Sequence, residues 1–304
     1  MQTRLALAND QPMTAAQPAV EALPLRDPTP ARPRMAAVME RARGIARLAV
    51  CAEDARTQLV ENYQSGSAKL RFPRPETGDP FAAVLVNTAG GITGGDRFSW
   101  SIDVGQNAAI AVAGQAAERI YRRTIGDAAV DTVLRVADGG SLDWLPQETI
   151  LFDRSSLRRT LTSDLAPSAR LLAVESIVLG RTAMGETTGD VSVRDSWRIR
   201  RGGRLVFADG QRFDGDTTAI LAGRATGNGA RALATIVLVA PKAESAIDRA
   251  RAALIESAGE TGVSAWNGML VARLIAGDGQ ALRADVIRLI ETLRGRPMPR
   301  VWNC

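Results

Sequence analysis

Residues 87–96 constrain the fold of this chain more than any other segment, because four glycines there join an apolar run to a strand-like run. The apolar run covers residues 81–86, and residues 98–104 alternate apolar and polar side chains as a β-strand does. Glycine adopts positive φ without steric cost, so the segment predicts a sharply folded backbone with no side chains over it. The glycines are Gly90, Gly91, Gly94 and Gly95. We therefore expect a tight corner between two strands.

A phosphate-binding role for this segment is disfavoured by its residues. Gly90 and Gly95 have the separation found in a P-loop, but Asp96 stands where that motif has its lysine. A carboxylate there would repel a phosphate. A dinucleotide-binding motif needs a helix after its glycines, whereas a strand is predicted here. A structural corner is favoured, and a binding loop is the alternative.

The absence of histidine excludes several function classes. None of the 304 residues is histidine, so Ser-His-Asp catalysis, Cys-His catalysis and His-ligated zinc or nickel sites are ruled out. The two cysteines, Cys51 and Cys304, are far apart and predict no disulfide framework. Any metal would have to be held by carboxylates, backbone oxygens or a terminal thiol.

Hydropathy predicts a globular protein, and the two isolated cysteines, which fit a reducing compartment, predict a cytoplasmic one. Hydrophobic residues make up 45% of the chain, yet no apolar run approaches the roughly 18 residues that span a bilayer, and no signal peptide is evident. The net charge of +5 comes from arginine, since Lys69 and Lys242 are the only lysines. A genome rich in G and C or an acidic partner would each explain that bias.

The chain divides into a tail and a single predicted domain. Residues 1–34 are rich in proline and alanine and are expected to be disordered, and residues 35–304 form the globular part. Helical spacing of apolar residues occurs only at 246–255 and 282–293. Strand-like segments recur at 81–87, 98–104, 107–113, 130–136, 141–145, 149–152, 158–164, 170–179, 190–201, 204–208, 233–240 and 266–275. The pattern predicts a mainly β protein without the alternation of a doubly wound fold.

The segment 191–200 shows the two-faced character of these strands. Its odd positions are mostly apolar and its even positions are serine or arginine, so one face is expected to be buried and the other basic and solvated. Asp195 interrupts the apolar face, and nothing in the sequence explains it.

Four further motifs accompany the glycine segment in a fixed order. They are QAAERIYR at 115–122, WLPQETILFD at 144–153, LGRTAMGE at 179–186 and SAWNG at 264–268, with PRVW at 299–302 near the end. Together these motifs resemble the UreD family of urease accessory proteins (UreH in some organisms) over about residues 50–303. The motif residues singled out are Gly90, Gly91, Gly94, Gly95, Gln115, Tyr121, Pro146, Gln147, Gly185, Trp266 and Asn267.

The resemblance implies a non-catalytic assembly factor for a nickel enzyme. Proteins of this family bind the urease apoprotein and recruit UreF, which docks the GTPase UreG, and the complex inserts nickel into urease. The implied fold is a helically stacked, layered β body of many short strands with two α-helices near the C-terminus. No tightly bound cofactor is implied, only transient Ni²⁺ in an internal channel. A homodimer within the complex is a further expectation, with neither nucleic acid nor membrane as a partner.

Four carboxylates are the candidate ligands along that nickel path. Glu148, Asp153 and Glu186 each lie beside a family motif, and Asp96 closes the glycine segment. Oxygen ligands bind nickel more weakly than imidazole or thiolate, which suits a conduit that must release its ion. The structural alternatives are that Asp96 caps a turn and that Glu148 or Asp153 pairs with nearby arginines. The arginines near Glu148 and Asp153 are Arg154, Arg158 and Arg159.

Two other motif segments carry structural predictions. If residues 118–123 form a strand, Glu118 and Arg122 share a face and can pair, while Tyr121 points to the opposite face. Residues 266–268 are expected to form a turn that leads into a buried strand.

Two alternative functions remain open at the level of sequence. A nucleic-acid-binding protein would use the basic face of 190–201, but Arg194, Arg198 and Arg200 have no interleaved aromatic residues for stacking. A glycosidase would use a carboxylate acid/base pair that includes Glu148 on a solenoid-like body. The scaffold function is favoured over both.

Overall fold

The computed structural model describes residues 40–74, 80–180 and 187–303. Within the chain, Glu40–Cys304 forms one compact unit. The predicted tail at 1–34, together with Gly185 and Glu186, lies outside the described residues.

Strands make up most of the described chain. They are β1 (Arg43–Glu53), β2 (Arg56–Gly66), β3 (Ala68–Arg71), β4 (Phe81–Asn87), β5 (Arg97–Val104), β6 (Ala109–Gly114), β7 (Glu118–Ile120), β8 (Ala128–Val136), β9 (Ser141–Leu145), β10 (Thr149–Leu151), β11 (Ser156–Leu165), β12 (Arg170–Leu179), β13 (Val191–Arg201), β14 (Arg204–Gly215), β15 (Ala232–Val239), β16 (Glu260–Trp266) and β17 (Met269–Ala276). The strands predicted from residue 81 onward are present, whereas β1, β2, β3 and β16 were not predicted.

The helices are α1 (Thr217–Leu221), α2 (Ile247–Ala253) and α3 (Gly279–Arg294), with 3-10 turns at Ala243–Ala246 and Arg300–Asn303. The two late helices match the predicted ones. Asp278 caps α3 by accepting a hydrogen bond from the Ala281 amide at 2.8 Å, and Gly295 ends it with φ of 66°. The short helix α1 was not predicted, and its cap is Asp216.

The strands form two sheets between which the chain passes repeatedly. The first sheet has the order β14-β13-β11-β8-β5-β1-β2. The second has the order β16-β17-β15-β12-β9-β6-β4-β3, with β10 attached to β12 and β7 attached to β10. Strands β1, β5, β8, β11 and β13 are parallel neighbours in the first sheet, as are β4, β6, β9 and β12 in the second. The chain therefore winds as a parallel solenoid, which confirms the predicted helically stacked β body.

Residues at equivalent positions of successive coils stack on one another, but the number of residues between them varies from coil to coil. Phe98, Val130, Arg159 and Asp195 are register partners in the first sheet. The chain lengths that separate them differ, so the solenoid leaves no fixed-period repeat in the sequence.

Two hydrophobic cores hold the layers together. One lies between the sheets and contains residues such as Leu48, Trp144 and Trp197. The other packs α2 and α3 against the outer face of the second sheet, with Leu282 and Leu289 among its residues. Strands β12 and β15 are buried on both faces because they lie between these cores, and their nearly unbroken apolar sequences are typical of that position.

Candidate functional site

The glycine segment forms the predicted corner between β4 and β5. Gly90, Gly91 and Gly95 have φ of 77°, 142° and 91°. A Cβ at Gly91 would lie 2.3 Å from a ring carbon of Tyr121, and the Tyr121 hydroxyl donates to the Gly90 carbonyl at 3.3 Å. Both the backbone conformation and the close approach of the ring therefore require glycine.

Asp96 closes this corner by binding backbone amides. Its Oδ2 accepts from the Thr93 amide at 2.9 Å and its Oδ1 accepts from the Ala42 amide at 2.8 Å. The carboxylate is buried and fixes the corner to the start of β1. This is the turn-capping arrangement considered as the alternative to a metal role.

Glu118 connects the corner to the interior of the protein. Asn87 Nδ2 donates to both Glu118 carboxylate oxygens at 3.2 Å and to the Gly91 carbonyl at 3.2 Å. Burial raises the pKa of Glu118 to about 7, and the hydrogen bond from Asn87 only partly opposes this shift. Strand β7 ends at Ile120, before Arg122, and the described ion pairs include none between Glu118 and Arg122.

A cavity of about 290 Å³ lies beside the corner, between the two sheets. Exposed residues line one part of it, namely Gly90, Gln115 and Ala116. Buried residues line the opposite part, namely Trp144, Thr149, Arg159 and Glu175. The cavity therefore connects the surface at the glycine corner with buried charged groups.

Arg159 joins the two sheets at the buried end of the cavity. Its Nη1 lies 2.5 Å from Glu175 Oε2 on the opposite sheet and donates to Thr149 Oγ1 at 2.9 Å. Its Nη2 lies 2.6 Å from Asp195 Oδ2 on the neighbouring strand of its own sheet. Trp144 Nε1 donates to Glu175 Oε1 at 3.3 Å. The interruption of the apolar face by Asp195 thus has its explanation in a buried arginine.

Two carboxylates share this one guanidinium. Burial raises the pKa of Glu175 to about 7; Arg159 opposes the shift and Asp195 adds to it. Burial alone would lower the pKa of Arg159, but Asp195 and Glu175 outweigh that effect and raise it. Asp195 Oδ1 and Arg159 Nε are both buried and have no hydrogen-bond partner within the described part of the chain.

Polar groups continue beyond Arg159 to the far side of the sheets. Gln211 Nε2 donates to Thr235 Oγ1 at 3.1 Å across the sheets. Arg273 lies 2.7 Å from Asp209 and donates to Thr235 Oγ1 at 3.2 Å. The Arg273 side chain is 50% exposed, so the interior reaches solvent there. A small space of about 10 Å³ lies among these groups, enough for roughly one water molecule.

Strand register brings these residues into line. Arg159, Asp195 and Gln211 are register partners in the first sheet. Glu175, Thr235 and Arg273 are register partners in the second. We call the whole set the polar row: Glu118, Thr149, Arg159, Glu175, Asp195, Asp209, Gln211, Thr235 and Arg273.

Glu148 lies outside the lining of the cavity and is bound by α3. Arg283 Nη1 donates to its two carboxylate oxygens at 2.7 and 2.8 Å. The same arginine donates to the Trp302 carbonyl at 2.5 Å and stacks on the Trp302 ring at 4.6 Å. Next to it, Gln147 Nε2 donates to the Val301 carbonyl at 2.9 Å. These motif residues therefore hold the C-terminal turn against the body.

Asp153 lies at the surface and binds the segment before β13. Its Oδ1 accepts from the amides of Gly189 and Asp190 at 2.9 and 3.1 Å, and Arg154 lies 3.6 Å from its Oδ2. The structure does not bring Asp96, Glu148 and Asp153 together. Among the described residues, no three His, Cys, Asp or Glu side chains converge as metal ligands. A metal role for these three carboxylates stays a prediction.

The other motif residues have structural positions. Pro146 lines the cavity. Trp266, 43% exposed, ends β16, and the predicted turn at 266–268 precedes β17, with φ of 50° at Asn267 and 74° at Gly268.

The arginines that are register partners of Arg194, on the strands that flank β13, are themselves paired with acidic residues. Arg158 on β11 lies 3.5 Å from Asp131, and Arg212 on β14 lies 3.1 Å from Asp214. This alternation of charges is unlike the uninterrupted basic surface of a nucleic-acid-binding protein. In the described ranges no helix is both long and apolar enough to cross a membrane.

Sequence reasoning did not identify Glu118, Glu175 and Asp209 as interior groups. Glu175 did carry a signal, since it is the one carboxylate within the apolar strand β12. A charged residue in a strand buried on both faces must have a partner, and the partner comes from the opposite sheet.

These features define a class of protein: a two-sheet β-solenoid whose interior carries a polar row from a surface cavity to the far side. The UreD urease accessory protein family matches residues 42–303. A urease accessory protein UreD of Rhizobium leguminosarum bv. trifolii is 49% identical over 266 residues, which cover 87% of this chain and 96% of that protein. UreD 2 of Methylorubrum populi is 46% identical over 277 residues, covering 89% and 93%. UreD 3 of a Bradyrhizobium strain is 45% identical over 262 residues, covering 86% and 94%. The chain belongs to the UreD family of urease accessory proteins.

Proposed function

We propose that this protein is a urease maturation factor that binds the urease apoprotein and recruits UreF, and through it UreG, for nickel insertion. We further propose that Ni²⁺ travels through its interior along the polar row. Family membership supports the maturation role. The cavity and the polar row support the route of the ion. No catalytic step is assigned to this chain.

The observation that carries the proposed route is the position of Glu175. It lines the buried end of the 290 Å³ cavity on one side and the small polar space with Asp195 and Asp209 on the other. An ion that entered beside Glu118 would find oxygen ligands along the polar row as far as the exposed Arg273. The carboxylates are spaced along the row, so each position offers few oxygen ligands. Such positions bind nickel weakly and release it readily.

The test is the nickel content of urease in cells that express the cognate urease operon without this gene. Wild-type chain supplied in trans should restore both nickel loading and activity. Glu175→Gln, which keeps the shape of the side chain but removes its charge, should restore about one tenth of the nickel loading or less. The matched control is Glu61→Gln, which changes an exposed carboxylate paired with Arg47 and should restore full loading.

Co-purification with apo-urease and UreF separates the two parts of the proposal. If Glu175→Gln keeps both partners and fails to load nickel, the route through the interior is supported. If Glu175→Gln loads urease as well as the wild type does, the route is wrong. If deletion of the gene leaves urease fully loaded, the maturation role itself is wrong. Asp96→Asn, Glu148→Gln, Asp153→Asn and Glu186→Ala belong in the same assay, because their metal role is still a prediction.

A further inference from the structure

Of the residues that the structure describes, Arg159 and Glu175 line both interior spaces. Each lines the 290 Å³ cavity on one side and the small polar space on the other. Their ion pair spans the two sheets with an N–O distance of 2.5 Å, and both side chains are 7% exposed. The pair therefore forms the wall that separates the two spaces.

The guanidinium of Arg159 is a cation that lies between two carboxylates. It contacts Glu175 through Nη1 and Asp195 through Nη2. One positive charge serves two carboxylates, and Asp195 Oδ1 is buried with no hydrogen-bond partner among the described residues. An unpaired buried carboxylate oxygen is costly unless something binds it. This position therefore has more carboxylate oxygens than Arg159 binds.

We propose that Arg159 is a resident cation that closes the interior path, and that a divalent metal ion passes by displacing its guanidinium from between Glu175 and Asp195. This proposal rests on the proposed function for the direction of travel, but the binding step can be measured without it.

The surroundings of Arg159 allow that displacement. The large cavity lies directly beside its side chain and offers room for the guanidinium to move. Thr149 Oγ1, which accepts from Nη1 at 2.9 Å, borders the same cavity and can remain a partner during the movement. A divalent ion brings two charges where the guanidinium brought one, so both carboxylates can be neutralised. A monovalent ion brings no such gain, and the device favours divalent ions.

Another buried arginine cluster shows what a purely structural arrangement looks like. Asp143 is bound by Arg170 at 2.6 Å on Oδ1 and by Arg294 at 2.8 Å on Oδ2. There two guanidinium groups serve one carboxylate, and both of its oxygens are satisfied. The Arg159 cluster has the opposite ratio, an unsatisfied oxygen and a space on either side.

The experiment is calorimetric titration of the purified full chain, with any affinity tag removed, by NiCl₂ near neutral pH. Arg159→Gln removes the resident cation, and we expect it to gain one nickel site per chain, at least about tenfold tighter than any site in the wild type. Adding Glu175→Gln to this variant should abolish the gain. Arg294→Gln removes a buried arginine from the structural cluster and should leave nickel binding as in the wild type. MgCl₂ serves as the control for general binding of divalent ions.

A second variant covers the case in which Arg159→Gln does not fold. Arg159→Lys keeps the positive charge but loses the two-nitrogen fork, so nickel should displace it more easily and bind about threefold tighter or more. Circular dichroism confirms that each variant is folded before titration. The proposal is overturned if a folded Arg159→Gln or Arg159→Lys binds nickel no better than the wild type, or if Arg294→Gln gains the same site.

The outcomes also separate this proposal from the proposed function. If Arg159→Gln gains a nickel site while Glu175→Gln loads urease fully in cells, the displacement of Arg159 by a metal ion is supported. The route of nickel through the interior is then wrong. If Glu175→Gln fails to load urease and Arg159→Gln gains no nickel site, the route through the interior is supported. The displacement of Arg159 by the metal ion is then wrong.

Discussion

Two of the charged residues in the interior interrupt an apolar pattern in the sequence, although their partners are not visible there. Asp195 breaks an alternating strand, and Glu175 stands within a strand buried on both faces. Each interruption requires a buried partner, because an isolated charge in a core is too costly. The partner, Arg159, lies on a third strand. Its identity depends on the register of two sheets, which no local pattern contains.

Glu118 provides a prediction about pH at the scale of a single residue. Its pKa in the folded protein is about 7, above its ordinary value of 4.5. Between these values the folded chain holds a proton that the unfolded chain has released, so the free energy of unfolding falls as pH rises through that window. The contribution from this group is at most about 3 kcal/mol. Glu118→Gln should remove it while keeping the contact with Asn87.

The measurement is urea denaturation of wild type and Glu118→Gln at about pH 5 and about pH 8. The loss of stability between the two pH values should be smaller in Glu118→Gln than in the wild type. Glu175 contributes in the same direction in both proteins, since its pKa is also raised to about 7. Glu61→Gln is the control and should keep the wild-type difference. Equal losses in wild type and Glu118→Gln would contradict the assignment.

At the scale of elements, two of the strands that sequence patterns missed, β1 and β2, carry exposed apolar residues that break the pattern. Strand β1 points Ile45 outward, with 44% of its surface exposed, so its apolar residues do not follow a simple alternation. Strand β2 is an edge strand without a single buried residue, and Val60 is 65% exposed. By contrast, α3 carries apolar residues at helical spacing between clear end signals, and its prediction was correct.

The C-terminal turn provides a prediction at this scale. Trp302 is 2% exposed, and its Nε1 donates to the Leu145 carbonyl at 3.1 Å. It also carries the Arg283 guanidinium that binds Glu148. Trp302→Ala should therefore lower the free energy of unfolding by about 3–5 kcal/mol, as other large-to-small core substitutions do.

Trp266→Ala is the matched control for that substitution. Trp266 is 43% exposed at the end of β16, so its replacement should change stability by no more than about 1 kcal/mol. Chemical denaturation of both variants gives the comparison. A similar loss in both would mean that the C-terminal turn contributes little to the fold.

At the scale of the whole molecule, the solenoid places two sheets face to face and fills the gap unevenly. Much of the gap holds apolar side chains, while the polar row interrupts them. The mainly β class followed from the sequence pattern and the stacked arrangement from the family resemblance. The polar row did not follow from either, because it exists only where strands distant in the chain align across both sheets. Substitutions of the buried charges in this row can therefore show whether these residues serve stability or function.

An apolar replacement of the buried triad of Arg159, Glu175 and Asp195 tests whether these residues serve stability or function. Removing a single member of such a group leaves an unpaired charge, which costs about 3–5 kcal/mol. Replacing all three members, as in Arg159→Met, Glu175→Leu and Asp195→Leu together, leaves no unpaired charge. The triple variant should be as stable as the wild type or more stable by about 1–4 kcal/mol. It should nevertheless fail to restore nickel loading of urease, because an apolar barrier would cross the polar row.

Two measurements on the triple variant give opposite results under the two explanations of the triad. If the triad serves only to hold the sheets together, an equally stable replacement should restore nickel loading in full. If the triad is a passage for the ion, thermal stability and co-purification with apo-urease should be preserved while loading is lost. Loss of loading together with loss of the partner would instead place the defect at the binding surface. The combination of intact fold, intact partner and empty urease is therefore the result that the polar row predicts.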